Sequence, residues 1–186
     1  LHMELRGKDI YFLGSSVTFG VEGISFAEML CAELGAVMHK EAVSGTTLAD
    51  VDARSYISRF RAAPETPADL FICQLSTNDA ARGLPVGDIE TAIRDVIAEA
   101  KRRWDCPILF YTGTRFESEN YAAMVELLLR LQEEYGFAVL DLWNDEEMNA
   151  VSRYDYARFM RDPVHPNITG YRRWWLPKFI DACKKL

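Results

Sequence analysis

Four short stretches of the 186-residue chain hold side chains that could do covalent chemistry: GSSVTFG (14–20), SGTT (44–47), STND (76–79) and DPVHPN (162–167). The first offers Ser15, Ser16 and Thr18 between two glycines, directly after the apolar run DIYFLG (9–14). A serine hydroxyl is a weak nucleophile until a neighbouring base takes its proton. The chain has 3 histidines. His2 lies in Leu1-His2-Met3, which reads as a cloning-vector remnant, and His39 sits inside a strand-like stretch where a structural role is expected. His165 alone stands in a loop on the face where the other polar stretches gather. Asp162 precedes it by three residues. In a turn, that spacing lets the carboxylate hold the imidazole Nδ1–H, fix its tautomer and stabilise the imidazolium formed in acyl transfer. Pro163 and Pro166 stiffen the loop by restricting φ. Ser16 is then the candidate nucleophile, His165 its base and Asp162 the orienting acid.

Acyl transfer also needs donors for the oxyanion of the tetrahedral intermediate. The Ser16 backbone N–H, the unobstructed N–H of Gly45 and the side-chain NH₂ of Asn78 can supply them. Each stretch alone has a plain structural explanation. The first could be a tight strand–helix turn, Gly45 could serve a positive φ, Asn78 or Asp79 could cap a turn, and Asn167 could cap a helix. Their joint occurrence, with every role filled from a separate loop, points to a serine hydrolase.

The elements between these loops must bring them to one edge. Apolar strand-like runs at 9–14, 36–43, 69–76, 106–113 and 137–143 alternate with amphipathic helical stretches at 25–35, 48–62, 86–103 and 118–135. A short helix near 145–158 and a final helix from Ile168 follow. Five strands interleaved with helices indicate one α/β domain over residues 4–186 with a parallel sheet. In such sheets ligands sit beyond the carboxyl ends of the strands, where the strand order reverses.

The net charge of −7 argues against a nucleic-acid partner. No apolar run reaches the length of a membrane span, and no signal-peptide pattern is present. Cys31, Cys73, Cys106 and Cys183 form no CxxC pair. They read as free, mostly core thiols of a protein in a reducing, cytoplasmic compartment. Two histidines far apart in sequence give no metal-ligand spacing, so neither metal nor cofactor is expected. The NIT at 167–169 reads as a helix start.

The four stretches resemble the blocks of the SGNH/GDSL hydrolases: GSSVTFG the GDS(L) nucleophile block, Gly45 the glycine block, STND the GxND block and DPVHPN the DxxHP block. The resemblance implies a flavodoxin-like three-layer α/β/α sandwich with a five-stranded parallel sheet. It also implies a triad of Ser16, Asp162 and His165, and an oxyanion hole of Ser16, Gly45 and Asn78. Ser15 replaces the aspartate of GDS, and Ser76 the first glycine of GxND. Neither change removes a catalytic group. The rival reading is a flavin- or phosphate-binding module that holds an anion with the hydroxyls of the first loop. It would leave Asp162 and His165 without a task. For the hydrolase, short loops and the active-face arginines Arg82, Arg115 and Arg161 suggest a small-molecule substrate: a short-acyl ester of a polar alcohol, such as a carbohydrate. Oligomeric state is not legible.

Overall fold

The computed structural model describes residues 4–186; the remnant assigned to Leu1-His2-Met3 lies outside them. The five apolar runs form β1 (Asp9–Gly14), β2 (Val37–Ala42), β3 (Leu70–Gln74), β4 (Ile108–Tyr111) and β5 (Ala138–Leu140). All pairings are parallel, in the order β2-β1-β3-β4-β5. β3 and β4 are buried along their whole length, as strands covered on both faces must be. β2, at an edge, is only partly covered.

The two-residue period of β1 sorts its side chains into two cores. Tyr11 and Leu13 join a layer with Tyr56, Ile57 and Phe60 of α3 (Tyr56–Ala62), with α5 (Val86–Arg103) and with α6 (Glu119–Tyr135). Ile10 and Phe12 join the opposite layer with Phe26 and Leu30 of α2 (Phe26–Leu34) and Phe179 of α10 (Leu176–Lys184). Phe26 stacks on Phe179 at 3.9 Å and meets Tyr111 edge-on at 4.9 Å. The result is the three-layer α/β/α sandwich expected from the sequence. Because β2 and β3 flank β1 on opposite sides, the strand order reverses between β1 and β3. The loops after those two strands therefore border one crevice.

Local signals fix most helix ends. Ser25 and Glu28 make a reciprocal capping box on α2, and Gly35 ends the helix at φ 67°. Ser118 caps α6, and Gly136 ends it at φ 78°. The expected helix at 48–62 begins only at Tyr56, because the N–H groups of Leu48 and Ala49 bond a distant carboxylate, Asp79, at 2.8 Å each. The expected helix near 145–158 is two pieces, α7 (Glu146–Asn149) and α8 (Arg153–Phe159). Asp145 caps the first, and a second cap at Ser152 restarts the chain. Two short helices that the apolar pattern does not announce, α1 (Ser16–Phe19) and α4 (Thr77–Ala81), follow β1 and β3. The chain ends through α9 (Ile168–Gly170), a π-helical stretch (Tyr171–Trp175) and α10. No helix among the described residues is long and apolar enough to cross a membrane.

Candidate active site

The turn after β1 is held from beneath by Gln74, a buried amide at the end of β3. Its Oε1 accepts the N–H of Ser15 (2.9 Å), the N–H of Thr18 (3.3 Å) and the hydroxyl of Thr18 (2.8 Å). The Thr18 oxygen in turn accepts the Tyr111 hydroxyl. Ser15 is fully buried, and its Oγ accepts the Tyr56 hydroxyl at 3.1 Å. A Cβ at Gly14 would stand 2.0 Å from the Thr18 hydroxyl, so glycine is required there. With these groups occupied inward, Ser16 starts α1 partly exposed, and its Oγ lies 2.8 Å from His165 Nε2.

His165 belongs to a loop closed by a bridge between Met160 and Pro166. Its Nδ1 lies 2.8 and 3.0 Å from the two Asp162 oxygens. A carboxylate there accepts the Nδ1–H, which leaves Nε2 of a neutral imidazole free to accept the Ser16 proton. Asp162 Oδ1 also accepts the N–H groups of Val164 and His165 at 2.8 Å each. Burial works to raise the Asp162 carboxyl, but these N–H groups and the imidazole outweigh it and hold it below the usual carboxylate value. Asp162 therefore stays ionised beside the imidazole at neutral pH. His39 is elsewhere, 2.8 Å from Asp9 near the start of β1.

Gly45 and Asn78 lie in two further segments, after β2 and β3. Gly45 is exposed, at φ 80°, with open space around it. Asn78 sits in α4, whose Ser76 cap accepts the Asn78 N–H at 3.1 Å. The Asn78 NH₂ donates one hydrogen to the Thr46 carbonyl at 2.8 Å, which sets the amide beside the Gly45 loop and leaves its other hydrogen available.

Two ionic groups outside the candidate catalytic set, Asp79 and Arg59, fasten these loops. The buried Asp79 carboxylate takes Leu48 and Ala49 N–H from the glycine loop, one on each oxygen. Burial pushes its carboxyl above the usual range, against the pull of those two N–H groups and the Ser76 hydroxyl. Arg59 Nη2 bridges the Gly14 carbonyl (3.0 Å) and the Thr46 hydroxyl (3.1 Å), while Nη1 meets Glu41 at 2.7 Å. The signals were present: Gln74 is a polar residue in an otherwise apolar strand run, and Asp79 closes the STND motif.

The three arginines fall differently. Arg82 ends α4, exposed. Arg161 donates Nε to the Pro166 carbonyl of its own loop at 3.1 Å. Arg115 holds the Trp143 carbonyl at 3.1 Å and Asn144 Oδ1 at 2.9 Å. Among the described residues, no cluster of three His, Cys, Asp or Glu side chains is placed to hold a metal ion.

The model of the GDSL-like lipase/acylhydrolase family matches residues 12–173. A search of curated proteins finds no match. Among solved structures, a protein from Lactobacillus plantarum is similar with TM-score 0.78 and 22% identity, covering 95% of this chain and 96% of that one. A member of the lipolytic G-D-S-L family from Veillonella parvula follows with TM-score 0.74 and 17% identity, covering 96% and 99%. An acetyl xylan esterase is similar with TM-score 0.72 and 16% identity, covering 94% and 98%. At these identities the likeness is one of fold.

The Asp79 tie generates a prediction. Asn in its place keeps the volume but has one accepting oxygen, so one buried N–H of Leu48 or Ala49 loses its partner. Asp79→Asn should lower unfolding free energy by about 1–3 kcal/mol and lower kcat through the displaced Gly45 loop. Urea unfolding with steady-state kinetics checks both. Unchanged kcat with lowered stability would limit Asp79 to a structural role.

Proposed function

This chain belongs to the GDSL-like lipase/acylhydrolase family, and from that membership we propose that it is a serine esterase working through an acyl-enzyme. Ser16 Oγ attacks the ester carbonyl as its proton passes to His165 Nε2. Asp162 holds Nδ1–H and stabilises the imidazolium. The Ser16 and Gly45 N–H groups and the second Asn78 hydrogen receive the negative charge that develops on the carbonyl oxygen. Collapse of the tetrahedral intermediate expels the alcohol, which takes its proton from His165. Water then enters, gives a proton to the same nitrogen and releases the acid and free Ser16. The observation that carries the reading is the continuous contact from Ser16 Oγ through the imidazole to Asp162, 2.8 Å at each end.

The anion-cradle alternative loses three of its donors. The N–H groups of Ser15 and Thr18 and the Thr18 hydroxyl all turn to Gln74, so they cannot also coordinate a phosphate.

For the substrate, we propose a short acyl group, such as acetyl, on a polar alcohol of carbohydrate type. A long chain needs an apolar tunnel or a cover. The longest connection at the active edge, residues 43–55, is fastened by Asp79, Arg59 and Ser55 rather than free to close over a chain. Arg82, Arg115 and Arg161 are the candidates for contacts to the alcohol side. The acetyl xylan esterase of the same fold is consistent with this choice.

An alanine panel tests the mechanism. Ser16→Ala should abolish ester hydrolysis with the fold retained by circular dichroism, whereas Ser15→Ala should remain active. Asn78→Ala should lower kcat by about 10²–10³ with little change in KM. Activity that survives Ser16→Ala but not Ser15→Ala would move the nucleophile. For the acyl group, kcat/KM on a p-nitrophenyl ester series should be highest at acetate and fall with chain length. A profile that climbs with length would remove the short-acyl assignment.

A further inference from the structure

On the carboxyl edge of the sheet, between the loop after β4, helices α7 and α8 and the π-helical stretch, lies a pocket of about 500 Å³. Thr114, Arg115, Asn149, Arg153, Tyr156 and Trp174 are among its walls. The chain's net charge is −7, yet this pocket presents two guanidinium groups and no carboxylate. Three of the acids on or capping the neighbouring helices are engaged elsewhere. Asp145 and Glu147 meet Lys178 at 3.1 and 3.5 Å, and Asp155 meets Arg158 at 3.1 Å. Arg115 has its two hydrogen bonds to Trp143 and Asn144 and no ion pair with a carboxylate among the described residues. The Arg153 side chain has no hydrogen-bond or ion-pair partner among the described residues.

Thr114 also lines the pocket, but it is 3% exposed and its Oγ1 is buried out of a ligand's reach. Trp174, stacked on Phe159 at 5.3 Å, contributes a rigid aromatic wall to the same cavity.

The pocket adjoins the loop that carries Asp162 and His165. β4 is two strand positions from β1, so their carboxyl ends are about 10 Å apart. α8, which forms one wall, runs directly into the loop of Asp162 and His165. Tyr156 on that helix senses the triad acid: burial raises its phenol, and the Asp162 charge raises it further.

We propose that this pocket receives the alcohol side of the ester and selects alcohols that carry an anionic group, a carboxylate or a phosphate, on a hydroxyl-bearing frame. The anion lies between Arg115 and Arg153, and an apolar ring face of the frame lies along Trp174. Guanidinium forks suit both oxyanions, which present paired oxygens to paired N–H groups. This deepens the esterase reading and rests on it.

The test compares three acetyl esters of one sugar: the neutral methyl glycoside, its uronate and its phosphate, with p-nitrophenyl acetate as the report on basal esterase activity. An anionic ester should exceed the neutral one in kcat/KM by roughly ten- to hundredfold, the scale of one hydrogen bond to a charged group. Arg153→Gln should bring that ratio toward one, and Arg153→Lys should recover part of it. Whichever anionic arm is preferred names the anion. Equal rates on neutral and anionic esters, or a preference that survives in both Arg153→Gln and Arg115→Gln, would overturn the proposal while p-nitrophenyl acetate turnover leaves the esterase reading standing. No turnover of any ester would overturn both.

Discussion

A buried amide has to find its partners inside the protein, and Gln74 finds three donors for one oxygen, all from the turn after β1. That oxygen draws Ser15 and Thr18 inward and leaves Ser16 facing the crevice. Asp79 and Arg59 extend the same principle to the other loops. The Asp79 carboxylate joins the Asn78 helix to the Gly45 loop, and the Arg59 guanidinium joins the Gly45 loop to Gly14. Gln74 and Asp79 each tie one loop to the element that carries them, and Arg59 ties two loops together. In a low-dielectric setting such links are strong when complete and costly when broken. The crevice is thus built by saturating the donors and acceptors of the loops around it.

The two departures from the family pattern fit this arrangement. Ser15, in place of an acid, is sealed under the turn with its hydroxyl on Tyr56. An aspartate there would bring a charge into a fully buried position. Ser76, in place of a glycine, caps the short helix that carries Asn78 and also contacts the Thr46 carbonyl at 3.4 Å. Both serines serve the positions of the groups beside them.

Local patterns made the sheet and most helices legible. Continuous apolar runs mark β1, β3 and β4, and Ser25 with Gly35 brackets α2 within a residue. The contact between Asp162 and His165 was legible for another reason: few histidines and a three-residue Asp–His spacing restrict the choices. What the sequence did not reveal depended on partners far along the chain. Leu48 and Ala49 lie in a stretch whose pattern favours helix, yet their N–H groups go to Asp79, about thirty residues on, and the helix waits for Tyr56. Gln74 and Arg59 read as ordinary residues until the fold shows which loops they join. The pocket of Arg115 and Arg153 assembles from separate segments. Arg115 was named among the candidate contacts; Arg153 was not.

The central claim is that Ser16, alone among the hydroxyls of its turn, is the activated nucleophile. A fluorophosphonate probe reports this directly, because it bonds to an activated serine and peptide mass spectrometry then locates the adduct. The account predicts a single adduct on Ser16, lost when the His165 imidazole is removed by substitution. An adduct on Ser15 or on a serine outside the turn, or no adduct on a protein that is hydrolysing esters, would contradict it.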